Sequence, residues 1–195
     1  MKKFKFDFES LPAALNTADS NQDDSAVNIA ISEYLYRQGY FDLAETFSKE
    51  AAVTVQNDYG SDFKEMFNIL QEMRQGKVDS MISWCQRVSV FLASKGSDLD
   101  FRVHRYKFLQ ILNSAGKIQA LEYAQSHFDS FSTKYIKDIS KLMSSLLYID
   151  KPGSLYSNIH DSSESEKIQA LFAKEYCSFL GLSVDCPLSL WYFIY

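Results

Sequence analysis

The sequence contains no long hydrophobic run. Apolar residues make up 46% of its 195 residues, but no stretch approaches the roughly 18 consecutive apolar residues that a membrane-spanning helix needs. The opening MKKFKFDFES has a basic start without the apolar core of a secretory signal. We therefore expect neither a membrane span nor a secretory leader.

Glycine, proline and cysteine are scarce, with seven, three and three residues. Many short strands would need more turn-forming residues, so this composition favours helices. Cys85, Cys177 and Cys186 form an odd set without a CxxC pair. This pattern argues for reduced thiols and against a disulfide framework, and it predicts a location in the cytoplasm or nucleus.

An excess of positive charge is also absent. The net charge is −5, and the basic residues are scattered among the acidic ones. Because proteins that bind nucleic acid concentrate Lys and Arg on one face, nucleic acid is not an expected partner. The aromatic content of 15% instead predicts a globular fold with a substantial core.

Recognisable catalytic and cofactor motifs are missing. His104, His127 and His160 lie far apart in the sequence, and none belongs to an HExxH motif. No GxSxG, GxGxxG or GxxxxGK[ST] pattern occurs. Cys85 follows Trp84 on an apolar face, where a small buried hydrophobic residue is a better interpretation than a nucleophile. We expect no catalytic residue, cofactor or metal ion.

The stretch from Val27 to Val53 has the period of two short helices that fold back at Gly39. A glycine suits the left-handed residue just after a helix, and Asp42 with Glu45 predicts a capping box for the second helix. Helices this short are marginal alone. We therefore expect a second copy to cover their apolar faces.

This hairpin resembles a LisH motif, a dimerisation element in which two copies form a four-helix bundle. The resemblance is carried by Tyr34-Leu35, Gly39-Tyr40, Ala44 and Phe47. It implies apolar faces that are exposed in the monomer and buried in the dimer. The implied dimerisation residues are Ile31, Tyr34, Leu35, Gly39, Tyr40, Ala44 and Phe47. The alternative is an ordinary helical hairpin that packs on the rest of its own chain.

The next part of the chain predicts three helices, which end at Gly76, Gly96 and Gly116. Asp62 with Glu65 predicts a capping box at the start of the first. The third helix has apolar residues around most of its circumference, so it should be central and contacted on several sides. Its LxFxxHRxxFLxxL pattern, after a helix that contains Trp84, resembles a CTLH region.

The remaining sequence predicts three more helices. The middle one carries a continuous apolar stripe, and Pro152-Gly153 interrupts the chain before the last. The stripe is Ile136, Ile139, Leu142, Met143, Leu146 and Leu147. This part resembles a CRA region. The packing or interface residues implied for the CTLH and CRA regions are Trp84, Phe101, His104, Phe108, Leu142 and Met143.

The order LisH, CTLH, CRA resembles subunits of GID/CTLH ubiquitin ligase complexes. We expect an all-α fold of about eight helices, with a LisH hairpin followed by a helical CTLH-CRA body. The expected divisions are a flexible N-terminal arm (1–26), LisH (27–58), CTLH (59–116), and a CRA region with an apolar C-terminal segment (117–195). GLSVDCPLS, residues 181–189, is similar to the RING-type subunit family required for meiotic nuclear division.

The resemblance implies an interaction scaffold that pairs with paralogous subunits of the macrophage erythroblast attacher type, as a homo- or heterodimer within a larger complex. The family's RING-like module is not matched, because the sequence has no Cys/His set that could hold zinc. We therefore expect a truncated form, a fragment or a paralogue reduced to scaffold.

Two alternatives stay open. One is a fragment of a catalytic RING-type ubiquitin ligase subunit, and the other is a LisH-CTLH co-repressor or cytoskeletal adaptor. The terminal LSLWYFIY predicts either packing on the CRA helices or a contact with another subunit.

Overall fold

The computed structural model describes residues 20–53, 59–148 and 162–182. Within these ranges the chain forms nine α-helices, one short 3-10 helix and no strand, which confirms the all-α class. The helices are α1 (Ser20–Arg37), α2 (Phe41–Glu50), α3 (Tyr59–Arg74), α4 (Asp79–Arg87), α5 (Ser89–Ser94), α6 (Leu99–Ser114), α7 (Lys117–His127), α8 (Ser132–Tyr148) and α9 (Ser162–Phe179), and the 3-10 helix is Asp129–Phe131. None of the helices described is long and apolar enough to cross a membrane.

The chain divides between Ser61 and Asp62 into two compact units. The first unit contains the α1–α2 hairpin. Helix α1 begins at Ser20, inside the stretch predicted to be a flexible arm. The prediction missed this start because the first turns of the helix carry no apolar period that a sequence pattern could detect. Residues 1–19 of that predicted arm, and 54–58 of the predicted LisH stretch, lie outside the described residues.

The turn at Gly39 has the geometry that the sequence predicts. Gly39 has a φ of +80°, and its N–H donates to the carbonyl oxygen of Tyr36 at 3.0 Å. The N–H of Tyr40 donates to the carbonyl oxygen of Leu35, also at 3.0 Å. These two hydrogen bonds form a Schellman motif, in which a residue without Cβ adopts the left-handed conformation at no steric cost.

The capping boxes predicted for α2 and α3 are wrong. Helix α2 begins at Phe41, and its N-cap, Tyr40, makes no side-chain cap hydrogen bond, so Asp42 lies inside the first turn. Helix α3 begins at Tyr59, which places Asp62 within the helix as well. In both cases the acidic residue interacts favourably with the helix N-terminus without capping it.

In the second unit, α6 is the central helix. It packs against α4, α5, α7 and α9, which confirms the position predicted from its apolar circumference. Seven of its side chains are buried: Leu99, Phe101, Val103, His104, Phe108, Leu109 and Leu112. Since both faces of α6 are covered, the helices on either side of it share one core.

The segment predicted to form one helix around Trp84 is divided into α4 and α5. The division lies at Val88, whose φ of −108° and ψ of 21° are not helical and whose side chain is buried. This break contributes to the difference between the nine α-helices of the described ranges and the predicted eight.

The apolar stripe of α8 is only partly turned toward the core. Leu142 is 6% exposed, whereas Ile136 and Leu147 are 56% and 72% exposed. Near its start the helix is interrupted at Tyr135, where φ is −118° and ψ is 23°. The middle of the stripe therefore packs on the α6–α7 core, and its two ends face outward.

Candidate interaction surface

The α1–α2 hairpin is held together by a buried polar contact. The Ser32 and Ser48 hydroxyl oxygens lie 2.7 Å apart, and Ser32 is 1% exposed. On α1, Arg37 donates from Nη2 and Nε to Glu33 Oε1 at 2.6 and 2.9 Å, and both side chains are largely buried. The contact between the two helices is therefore specific, because a buried hydroxyl pair fixes their relative register.

Gly39 lies in the turn and has no side chain, and the other predicted dimerisation residues fall into three groups. Tyr40 is 59% exposed, Ala44 has no exposed surface, and the remaining side chains are half-buried. The half-buried ones are Ile31, Tyr34, Leu35 and Phe47. The expectation that Ala44 is exposed in the monomer is wrong, because this small side chain lies inside the unit, where it can only contribute packing.

Two exposed apolar side chains of the first unit lie at the turn end of α2. Tyr40 and Leu43 are 59% and 55% exposed, and the half-buried Phe47 follows at the next turn. Leu43 and Phe47 are four residues apart and share one face of α2; together with Tyr40, the residue just before the helix, they form what we name the α2 face. On α1, Val27 and Ile29 are also exposed. Leu43 was not among the predicted dimerisation residues, although it belongs to the same apolar repeat.

The predicted CTLH and CRA residues lie in the core of the second unit. Trp84, Phe101, His104, Phe108 and Leu142 are all 6% exposed or less. Met143 is half-buried and packs against the cluster formed by α6, α7 and α8. For these residues, burial favours packing over an interface.

Helix α9 supplies the aromatic partners of Trp84. The Trp84 ring stacks on Tyr176 with centroids 5.2 Å apart, and it meets Phe172 edge-on at 5.1 Å. Phe179 meets the Trp84 ring edge-on at 6.1 Å. Such aromatic contacts add to the free energy gained from burial alone, so they hold α9 against α4.

A charged group also joins α9 to α3 and α4. Tyr176 Oη donates to Glu65 Oε2 at 2.7 Å, and Arg87 Nη2 donates to Glu65 Oε1 at 2.6 Å. Burial alone would raise the pKa of Glu65, but the hydrogen bonds from Arg87 and Tyr176 hold that pKa below its usual value. Burial and the bond to Glu65 raise the pKa of Tyr176. Sequence reasoning missed Tyr176, because its partner Glu65 is 111 residues away.

Further polar contacts fix the two ends of α9. Glu164 lies 4.0 Å from a guanidinium nitrogen of Arg102 and 3.8 Å from one of Arg105, both on α6. Near the other end, Lys95 of α5 donates to the Ser178 hydroxyl. The last described helix therefore packs against the helices that precede Gly116, and the CTLH and CRA segments share one packed unit.

Two of the three histidines come together in space. The His104 ring lies 5.2 Å from the His127 ring, and His104 Nδ1 lies 2.7 Å from Tyr123 Oη. His104 is thus a packed, hydrogen-bonded histidine, as its position on an apolar helix predicts. His160 lies outside the described residues.

The described thiols are inert. Cys85 and Cys177 are both buried, and burial, with the nearby charge of Asp100, raises the pKa of the Cys85 thiol. A buried protonated thiol behaves as a small hydrophobic group. Among the described residues, no group of three His, Cys, Asp or Glu side chains could hold a metal ion.

Comparison with known proteins gives consistent matches. Residues 62–192 match the family described as CTLH/CRA C-terminal to LisH motif domain. The human E3 ubiquitin-protein transferase RMND5B is 32% identical over 87% of this chain and 44% of its own length. The Arabidopsis thaliana protein RMD5 homolog is 32% identical over 86% of this chain and 43% of its own length. GID complex subunit 9 of Schizosaccharomyces pombe is 23% identical over 77% of this chain and 37% of its own length. The chain thus spans less than half the length of these relatives.

Proposed function

Because the chain belongs to the CTLH/CRA family whose domain lies C-terminal to a LisH motif, we propose that it is an interaction scaffold of a GID/CTLH-type ubiquitin ligase complex. The names of its relatives support this proposal, since one is a GID complex subunit and others are ubiquitin-protein transferases. For the residues of this chain, we propose association with other subunits as the role. In this role the chain supports ubiquitin-dependent protein degradation.

The observation that carries the proposal is the α2 face. Tyr40 and Leu43 are each more than half exposed at the turn of a hairpin whose own contact is already made by Ser32 and Ser48. Large apolar side chains grouped on one exposed face favour association, because burying them removes apolar surface from water. A second hairpin would cover this face, and burial of roughly 1,200 to 2,000 Å² is typical of stable interfaces.

Paralogous subunits of the macrophage erythroblast attacher type are the proposed partners, in a homo- or heterodimer within the larger complex. We also propose that the protein resides in the cytoplasm or nucleus. The scarcity of cysteine and the free, buried Cys85 thiol support a reducing compartment.

The test is the solution mass by light scattering over a dilution series, for the protein alone and with a paralogous subunit of the macrophage erythroblast attacher type. We expect a dimer, or a mixed complex that replaces it. The double variant Tyr40→Asp/Leu43→Asp should associate at least about tenfold more weakly, because each buried carboxylate would be unpaired at the interface.

Val90→Asp is the matched control. Val90 is 84% exposed and belongs to α5, an element of the second unit. It should associate like the wild type. A wild-type protein that stays monomeric with and without the partner, or equal weakening by Val90→Asp, would contradict the proposal.

A further inference from the structure

The first turn of α9 places a serine directly before acidic residues. The sequence reads Ser163-Glu164-Ser165-Glu166, so Ser163 has one glutamate directly after it and another three residues after it. Protein kinases select substrates partly by charge pattern, and acid-directed serine kinases bind such carboxylates with basic side chains in their substrate groove. The spacing therefore matches Ser163 to this class of kinase.

The groups that such a kinase would contact lie at the surface. Ser163 is half-buried, Glu166 is exposed, and the side chain of Glu164 is 21% exposed. Ser163 lies in the first turn of α9, and a kinase binds its substrate as an extended segment. Because the ends of helices open locally at a small cost in free energy, this turn can enter a kinase groove.

Ser97 carries the same acidic spacing in a different environment. It is followed by Asp98 directly and by Asp100 three residues later. However, Asp100 Oδ1 is buried, and Asp98 Oδ2 accepts a hydrogen bond from Arg102 Nε at 2.7 Å. Acidic side chains held in this way are not available to a kinase groove. The structure therefore favours Ser163 over Ser97 as a substrate.

Three cations lie near the start of α9. Lys167 Nζ donates to Ser163 Oγ at 3.1 Å. Glu164 lies 4.0 Å from a guanidinium nitrogen of Arg102 and 3.8 Å from one of Arg105, both on α6. A phosphate on Ser163 would place about two negative charges where Lys167 already contacts a neutral hydroxyl. These side-chain cations, rather than the helix end alone, would bind the phosphate.

We propose that Ser163 is a phosphorylation site for an acid-directed protein kinase, and that the phosphate stabilises the contact of α9 with α6. In the reaction, Ser163 Oγ forms a bond to the γ-phosphorus of ATP, the bond to the bridging oxygen breaks, and ADP leaves. The hydroxyl proton passes to the catalytic base of the kinase. This inference does not rest on the proposed function.

Opposing charges act on the phosphate, and their balance gives the direction of the effect. Glu166, three residues after Ser163, repels it, and Lys167, four residues after, attracts it by a similar amount. What is left is the attraction of the phosphate to the N-terminus of α9 and to Arg102 and Arg105 of α6. Both favour the folded first turn, so phosphorylation should make α9 open less often.

The first test is phosphorylation of the full chain by casein kinase II with ATP, with the site located by mass spectrometry. We expect phosphate on Ser163 and its loss in Ser163→Ala. Glu166→Gln should slow incorporation at least about tenfold, because a charge-assisted contact with the kinase is lost. Glu122→Gln, which removes the same charge at an exposed position of α7, is the matched control and should be phosphorylated like the wild type.

The second test compares hydrogen exchange of the phosphorylated and unphosphorylated chain. Protection of α9 amides (162–179) should rise by about two- to fivefold relative to amides of α7 (117–127). In Lys167→Gln this rise should be smaller. The unphosphorylated variants should match the circular dichroism spectrum of the wild type, which separates loss of the site from loss of the fold.

Three outcomes would overturn the proposal: no phosphate on Ser163, equal rates of incorporation into Glu166→Gln and the wild type, or unchanged or lower protection of α9 after phosphorylation. If Ser163→Ala does not fold, the rates of Glu166→Gln and Glu122→Gln decide instead.

Discussion

Two tyrosine hydroxyls in the second unit are buried in opposite circumstances. Tyr176 donates to Glu65 at 2.7 Å, and Glu65 is also held by Arg87. Tyr135 stacks on Phe101, with centroids 4.1 Å apart and planes at 4°, but its buried hydroxyl has no hydrogen-bond partner among the described residues. The same atom type therefore stabilises the fold at one position and costs free energy at the other.

Replacing each tyrosine by phenylalanine separates these effects. Tyr176→Phe should lower the free energy of unfolding by about 1 to 3 kcal/mol, because it removes a hydrogen bond to a charged group. Tyr135→Phe should leave that free energy unchanged or raise it, since only an unpaired hydroxyl is lost. Urea denaturation of both variants measures the difference, and equal destabilisation would contradict this account.

Residues with a local signal could be assigned from the sequence. His104 and Cys85 lie on apolar helical faces, and both are buried as that position predicts. Tyr176 and His127 could not be assigned in this way. Their roles depend on partners that only the tertiary fold brings close, and the periodicity of a single helix carries no information about such partners.

At the level of the elements, five helices are each followed by a glycine with a positive φ: α1, α3, α5, α6 and α9. Helix α2 ends without a glycine, and Ala52 adopts a φ of +47°. The N–H of Val53 donates to the carbonyl oxygen of Ser48 at 3.0 Å, which repeats the longer bond of the Schellman motif at Gly39. An alanine thus occupies a backbone conformation that costs about 1 kcal/mol for any residue with a Cβ.

Ala52→Gly should therefore stabilise the hairpin, by about 0.5 to 1 kcal/mol after the greater chain entropy of glycine is deducted. Ala51→Gly is the matched control, because Ala51 has a φ of −83° and gains nothing from the loss of its Cβ. Thermal unfolding followed by circular dichroism should show a higher midpoint for Ala52→Gly alone. A higher midpoint for both variants would refute the strain argument.

Helix interiors could be predicted better than helix boundaries. The apolar circumference of α6 indicated its central position, which its packing against four helices confirms. No glycine or proline in the sequence indicates the break at Val88, and the first turns of α1 have no apolar period. Local propensity does not determine these features, because tertiary packing decides them.

At the scale of the whole molecule, two segments that are separate in the sequence pack into one compact unit. The predicted CTLH and CRA segments meet at Gly116, yet helices from both sides of it form one compact unit from Asp62 onward. Contacts of α9 with α3, α5 and α6 account for this unity. The α1–α2 hairpin belongs to the other unit, so damage to it should leave the second core intact.

Ala44→Asp tests this separation. Ala44 has no exposed surface, so an aspartate there buries an unpaired charge and should unfold the hairpin. In a Trp191→Phe background, Trp84 is the single tryptophan and reports on the second unit. Its fluorescence transition should keep its midpoint in urea. Thr46→Asp, at an exposed position of the same helix outside the α2 face, should leave both the hairpin and the second unit folded. A shifted Trp84 midpoint in Ala44→Asp would contradict independence.

The return of α9 to the start of the second unit has a consequence for synthesis of the protein. Glu65 leaves the ribosome 111 residues before the tyrosine that binds it. At roughly 5 to 20 residues per second, that interval lasts on the order of 5 to 20 seconds. Trp84 is made within this interval, and its indole has none of its three α9 partners until Phe172 is made, so the nascent chain exposes an apolar surface that chaperones can recognise.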